Sequence, residues 1–458
     1  MNGQGGAAPS RISVRMHRVG FGDCFLLTFT YPDALDDNRS ERHVLIDFGS
    51  TSLPTGWKDL TKVAAEINAR TGGQIDAVVV THRHRDHLSA FAVPDIVNML
   101  QATQPPRLVV RSWTEDPDAD ANFTGGNGAP GADSLAFAKS LRSASEFADA
   151  MAGSIAARPG RSRLLGDLHQ VALTQLANSD AVGQLATWSA NGKGEYLRYG
   201  MTTSLESLLP GVRVKVLGPP TIEQHADVAS ERSSDPAEFW MLYRQVVGSI
   251  PAATVSALAQ AARDDRLQSG GGDDVASTIG DLGPVRWLTS HLDRQQIGSF
   301  LRIVRVMDDA LNNTSVILAF EVDGPGGTKR LLFPGDAQIE NWEYALKIVD
   351  VAENTDLLRQ VDLYKVGHHG SRNATPRSLF GLWTEDATAG RPMTAMMSTK
   401  SGVFGKTQET LVPRDTLVSA LTQRMTAGMY DSEKLDGLWV EVSADTASAD
   451  PFVESAHG

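Results

Sequence analysis

Seven consecutive residues, Thr81-His82-Arg83-His84-Arg85-Asp86-His87, hold three imidazoles and one carboxylate. Neutral imidazole nitrogens and carboxylate oxygens are the ligands of zinc, and also suit manganese or iron. Residues i and i+2 on a bend leaving a strand can point to one side, so His82 and His84 can share one ion. Asp86 and His87, at the start of a following helix, can reach a second ion beside it. A polar surface loop is the plainer use of such a stretch, but it gives no reason for this spacing.

Two more strand ends carry matching chemistry. Residues 42–48 (RHVLIDF) read as a strand that ends in Asp47-Phe48-Gly49-Ser50. A carboxylate beside glycine can hold a neighbouring loop by accepting backbone N–H bonds, or it can be an ordinary turn aspartate. Residues 329–333 (KRLLF) open into Pro334-Gly335-Asp336-Ala337, and residues 361–366 (VDLYKV) into Gly367-His368-His369-Gly370-Ser371. Asp336 and His368 thereby repeat the logic of Asp47 and the histidine cluster, each just past an apolar strand and beside glycine. Taken singly, Asp336 reads equally as a turn or helix-cap residue, and the histidine pair as a solvent loop.

The elements that must position these residues alternate. Residues 11–19 and 24–31 have strand character around the turn Gly20-Phe21-Gly22-Asp23, and 57–70 have helical periodicity ended by Thr71-Gly72-Gly73. The run Ile75-Asp76-Ala77-Val78-Val79-Val80 delivers the histidines, residues 88–100 look helical, and 107–113 form another strand. Strand–helix–strand repetition argues for an α/β layer structure with helices covering sheet faces. From about 114 to 211 and from about 221 to 290 the composition changes, with glycine-rich breaks at 125–131 and 269–272. These stretches read as largely helical insertions, a lid, a partner surface or padding, within one domain spanning 11–445. Helices over 293–311, 340–349 and 414–425 and strands over 316–322, 393–398 and 438–442 resume the alternation, and 1–10 and 446–458 read as flexible tails.

At 458 residues and 41% hydrophobic, the chain can bury a large core. No apolar run approaches the roughly eighteen residues a membrane helix needs, and the first ten residues lack the regions of a signal peptide. The single Cys24 excludes an internal disulfide framework, so a soluble cytoplasmic protein without membrane partners is expected. A formal net charge of −13 argues against whole-surface attraction to nucleic acid but leaves room for a local basic groove.

Asp47, His82-x-His84-x-Asp86-His87, Gly335-Asp336 and His368 together resemble the motifs of the metallo-β-lactamase fold superfamily. Within it the chain looks most like the soluble hydrolase module of competence, or DNA-uptake, membrane proteins and their free-standing relatives. That likeness rests on Val19-Gly20-Phe21-Gly22-Asp23-Cys24, Asn312-Asn313-Thr314-Ser315-Val316, Leu332-Phe333-Pro334-Gly335-Asp336 and Tyr364-Lys365-Val366-Gly367-His368-His369-Gly370-Ser371, and covers roughly residues 11–113 and 290–445. It implies a four-layer αββα sandwich with a site for two zinc ions at one edge, manganese or iron being alternatives. His82 and His84 would hold the first ion, Asp86, His87 and His368 the second, and Asp336 would bridge both. His369 would ligate in place of His368 or contact the substrate. Asp47 would position the histidine loop, and Asn313 or Ser315 would touch the site or a bound phosphate. Lys365 and the Gly370-Ser371 backbone are close enough in sequence to stabilise developing negative charge, although Lys365 reads equally as a solvent-facing strand residue. The superfamily's third motif, usually a histidine on the first ion, has no clear counterpart; His169, His225 and His291 lie in or beside the unmatched region. The stretch from Phe404-Gly405-Lys406 to Pro413 also lacks the histidine of a Gly-His-Pro-like element.

Two ions sharing a water lower its pKa towards neutrality, giving a hydroxide that can attack phosphorus or a carbonyl carbon. The resemblance therefore implies a metal-dependent hydrolase, foremost a phosphodiesterase or nuclease. The alternatives are a hydrolase of carbonyl esters (lactone, thioester or β-lactam), and a catalytically weak metal-binding module whose insertions meet a protein partner.

Overall fold

The structure is a computed structural model that describes residues 8–117, 131, 133–142, 178–229, 238, 310–373, 375–385, 387–388, 390–403 and 411–458. Among these, alternating apolar residues build fourteen strands in two mixed sheets. The first sheet takes β1 (Arg11–His17), β2 (Cys24–Thr30), β3 (Glu41–Phe48), β4 (Ala77–Val79), β5 (Leu108–Ser112) and β6 (Lys193–Leu197). The second takes β7 (Val212–Gly218), β8 (Ile317–Gly324), β9 (Gly327–Phe333), β10 (Leu363–Lys365), β11 (Thr394–Met397) and β12 (Gly428–Asp431), while β13 (Trp439–Asp445) and β14 (Val453–His457) return to the first. Their spatial orders are β14-β13-β1-β2-β3-β4-β5-β6 and β12-β11-β10-β9-β8-β7.

Both sheets follow one plan. Antiparallel hairpins lead up to β3 in one and β9 in the other, and parallel strands continue from there. Parallel neighbours need a crossover, and helices supply it. Helix α1 (Thr61–Thr71) links β3 to β4, α2 (Arg85–Leu88) and α3 (Pro94–Leu100) link β4 to β5, and α4 (Ser179–Asn191) precedes β6. In the second sheet α5 (Ile339–Glu343) and α6 (Val351–Arg359) precede β10, α7 (Arg377–Thr384) precedes β11 and α8 (Asp415–Arg424) precedes β12.

The period of two in the strands sorts side chains to two faces. Val14, Leu27 and Ile46 of the first sheet meet Val214, Phe320 and Phe333 of the second in a shared core. On its outer face, Leu45, Val78 and Val109 of the first sheet pack against Val63, Ile96 and Leu185 of the helices. On the outer face of the second, Leu332, Tyr364 and Ala395 pack against Trp342, Trp383 and Leu421. At the site end the sheets are joined directly, because the Val316 N–H donates to the Thr81 carbonyl at 2.8 Å.

Three expectations are corrected. The helix expected over 88–100 is broken: α2 gives way to a 3₁₀ turn, and α3 starts at Pro94 after an extended Val93 (φ −99°, ψ 111°). A residue before proline is disfavoured in the helical region, which accounts for the break. The stretch 114–211 is not only helical, since Lys193–Leu197 forms the edge strand of the first sheet, parallel to β5. The C-terminal stretch expected as a tail instead supplies β14, paired antiparallel with β13. Within the second expected insertion only 221–229 and 238 are described; most of the helix expected over 293–311, with His169 and His291, lies outside the described residues.

Phe333 stands immediately before the Pro334-Gly335-Asp336 turn and is 1% exposed, its ring centroid 5.9 Å from Phe25 and 6.1 Å from Phe320. Removing a buried aromatic ring costs its transfer energy and leaves a cavity. Phe333→Ala is therefore expected to lose about 3–5 kcal/mol of stability in urea unfolding, and a loss under about 1 kcal/mol would contradict this packing.

Candidate metal centre

The two sheets bring the carboxyl ends of β3, β4, β9, β10 and β11 to one edge, where the candidate residues lie. Asp47 closes β3 in a left-handed conformation (φ 56°) and is 1% exposed. Its Oδ1 accepts the Thr81 backbone N–H at 2.8 Å, and its Oδ2 accepts the Thr81 hydroxyl at 2.8 Å. This pins the start of the histidine loop. Oδ2 also lies 2.8 Å from Nδ1 of His87, so Nδ1–H donates to Asp47 and Nε2 turns to the opposite side.

Asp336 reaches the same point from the second sheet. Gly335 precedes it at φ 57°, and a Cβ at Gly335 would lie 2.7 Å from Cβ of Thr81, so only glycine lets the two strand ends approach this closely. The Asp336 backbone N–H donates to Ser315 Oγ at 3.1 Å. Its Oδ1 accepts from Lys365 Nζ at 3.3 Å and from the His368 N–H at 3.0 Å. Its Oδ2 lies 3.1 Å from His87 Nε2 and 3.5 Å from His369 Nε2.

His368 and His369 both take left-handed conformations (φ 41° and 52°), and the pair is thereby split. His369 donates from Nδ1 to the Ser398 carbonyl at 2.9 Å and sets Nε2 3.2 Å from Asp86 Oδ2. Asp86, His87, Asp336 and His369 each offer a ligand atom, all within 4.8 Å of one another, and all four residues are buried. His369 thus takes the place first assigned to His368. His368 stands outside that group, with Nδ1 buried and without a hydrogen-bond partner; burial pushes its pKa down to about 4.

His82 and His84 face each other, Nε2 to Nδ1 at 2.9 Å, and the His82 ring lies 4.2 Å from the His87 ring. Burial, then the charges of His87 and His84, hold the His82 imidazole well below its usual pKa, which keeps it in the neutral form that ligates. Of the three histidines considered for a third ligand on the first ion, the described one, His225, groups instead with Asp227 and Glu343.

The other expected residues make the following contacts. Lys365 is buried, and Nζ donates to the Gly335 carbonyl at 3.0 Å, ion-pairs with Asp23 and contacts Asp336 Oδ1, so its charge is used inside the site. Burial alone would lower its pKa, but Asp23 and Asp336 raise it. Ser315 orients Asp336, as described. Asn313 donates to Glu340 Oε2 at 3.3 Å and Ser371 to Asn373 Oδ1 at 2.9 Å.

Asp23, expected as a turn residue, is fully buried and lies 3.7 Å from His87 Nδ1 and 3.6 Å from His369 Nδ1. Thr81 and Ser398 also belong to the site through their bonds to Asp47 and His369. The sequence signal for Asp23 was the Gly-x-Gly-Asp turn, which an ordinary hairpin also uses.

The donor set fits a divalent cation. Two imidazole Nε2 atoms converge with two carboxylates, and Asp86 Oδ1 is buried without a hydrogen-bond partner. The electrostatics agree. Burial pulls the His87 pKa down, but Asp336, Asp47 and Asp86 push it well above the usual imidazole range, and His369 is likewise raised. Burial pushes Asp86 up, yet His87 and His369 bring it down to about 2. The carboxylates therefore favour positive charge at this point, whether as protons or as a metal ion. No protein-family model and no curated protein matches the chain, so the reading of the site rests on these residues.

Because His87 and His369 hold protons more tightly than free imidazole in the metal-free protein, an entering ion must displace them. Below those raised pKa values, each unit of falling pH is expected to weaken uptake by about tenfold per displaced proton; above them the dependence should flatten. Below those pKa values, calorimetry in buffers of different ionisation enthalpy measures the protons released, and uptake there with no release would contradict the assignment. Asp47→Ala frees both Thr81 and His87 and is expected to weaken zinc binding by about 10- to 100-fold in chelator competition.

Proposed function

We propose that this protein is a metal-dependent phosphodiesterase, with nucleic acid as one candidate substrate, built on a four-layer αββα metallo-β-lactamase-like fold. The observation that carries it is the convergence of Asp86, His87, Asp336 and His369 on one buried point at the carboxyl edge of both sheets. Helices packed on the outer faces of two facing sheets support the fold. His82 and His84 lie beside this group as the candidate ligands of a further ion. Zinc, manganese or iron held there would act as a Lewis acid and make water nucleophilic near neutral pH.

The chain's own residues do the positioning. Asp47 and the Ser398 carbonyl hold the Nδ1 edges of His87 and His369, so both rings present Nε2. Lys365 and the His368 N–H hold Asp336 from its far oxygen. Arg83 and Arg85, the latter opening α2, flank His84 in the chain and are partly exposed, and Arg83 Nε is steadied by Asn178 Oδ1 at 3.0 Å. Two arginines next to His84 in the chain add positive charge to the segment that carries the candidate ligands, which favours an anionic phosphodiester over a neutral lactone or thioester.

Protein loaded with zinc or manganese is expected to cleave bis-(p-nitrophenyl) phosphate or single-stranded DNA, and the Asp86→Ala, Asp336→Ala double variant to lose at least about 1000-fold in rate. Faster turnover of carbonyl esters than phosphodiesters would point to the other hydrolase class. No turnover across both panels, with metal bound, would leave a metal-binding module without this activity.

A further inference from the structure

We propose that Asp23 is a further positioning residue of this centre, acting through its buried ion pair with Lys365 and along the Nδ1 edges of His87 and His369. The inference rests on the metal reading given above. Asp23 lies at the turn between β1 and β2, far in sequence from every candidate ligand, yet its backbone is stitched to two of the loops that carry the site. Its N–H donates to the Asp86 carbonyl at 3.0 Å, and its own carbonyl accepts the Gly49 N–H at 3.1 Å. Gly22 makes the approach possible, since a Cβ there would lie 2.3 Å from the Gly49 carbonyl oxygen and 2.7 Å from that of Asp86.

From this fixed backbone the carboxylate meets three groups at once. Oδ2 pairs with Lys365 Nζ and lies 3.7 Å from His87 Nδ1, while Oδ1 lies 3.6 Å from His369 Nδ1. Neither Asp23 nor Lys365 is exposed, so each charge depends on the other for compensation. The pair has a consequence for Asp336. Lys365 is held where Nζ occupies Asp336 Oδ1, which also accepts the His368 N–H, leaving Oδ2 as the oxygen turned to His87 and His369. Asp336 accordingly offers an ion one oxygen rather than two. The negative charge of Asp23 also sits on the edge of both rings opposite their Nε2 atoms, and so favours Nδ1–H with Nε2 free to ligate.

The test compares wild type, Asp23→Asn, Lys365→Met and the double variant, with folding checked by circular dichroism. The readouts are the Co²⁺ affinity by chelator competition and the visible d–d spectrum of the Co²⁺-loaded protein. Asp23→Asn keeps the shape and removes the charge; it is expected to weaken Co²⁺ binding about 10- to 100-fold and to shift the spectrum. The double variant is expected to lose less than the product of the two single losses, because the pair is removed together and no lone buried charge remains. If a single variant does not fold, the double variant, free of that lone charge, carries the comparison and is expected to fold with weakened affinity and an altered spectrum. Wild-type affinity and spectrum in Asp23→Asn, or in the double variant, would overturn this inference alone, and so would losses that simply multiply. A wild-type protein that takes up no ion would overturn the metal reading itself.

Discussion

The structure turns on one electrostatic constraint: Asp23, Asp47, Asp86 and Asp336 are buried in a single cleft, each at most 4% exposed. Carboxylates removed from water are costly unless positive charge or hydrogen bonds meet them. Each is answered differently. Asp47 takes the Thr81 N–H and hydroxyl, Asp23 takes Lys365, and Asp336 takes Lys365 and the His368 N–H. Asp86 is left with one oxygen near His369 and one without a hydrogen bond. The remaining demand falls between Asp86 and Asp336, on the Nε2 atoms of His87 and His369. That is where a cation satisfies the most groups.

The scaffold meets this demand by using one arrangement twice. In each sheet an antiparallel strand, β3 or β9, ends in an aspartate, and the parallel strand beside it, β4 or β10, ends in histidines. Ligands in α/β structures gather at the carboxyl ends of parallel strands, because there the loops leave the sheet together. Packing the sheets face to face brings the two ends into contact, and the bond from Val316 to Thr81 closes the seam. Residues some 250 positions apart, such as His87 and Asp336 with |i−j| of 249, become neighbours this way.

Much of this was legible in the sequence, for identifiable reasons. Histidines and aspartates at the end of an apolar run announce themselves by residue type and spacing, so the His82–His87 loop, Asp47 and Asp336 stood out and lie where strand ends should put them. The α/β class followed from the alternation of strands and helices. What escaped depends on backbone geometry that spacing does not encode. The choice of His369 over His368 comes from two successive left-handed residues, which turn adjacent side chains apart. Lys365 reads as a cation available to substrate, but its neighbours in space, Asp23 and Asp336, consume it. Asp23 was hidden because a Gly-x-Gly-Asp turn looks alike whether its carboxylate faces solvent or a buried lysine. The edge strands β6 and β14 were missed because their exposed polar residues weaken the alternation that marks a strand.

The most direct measurement is anomalous X-ray diffraction at the zinc absorption edge from crystals of the zinc-loaded protein. The account requires a peak between Asp86, His87, Asp336 and His369, with ligand distances of about 2.0–2.2 Å and a single oxygen from Asp336. A peak ligated by His368 in place of His369, or none at this cluster in crystals that hold zinc elsewhere, would contradict it.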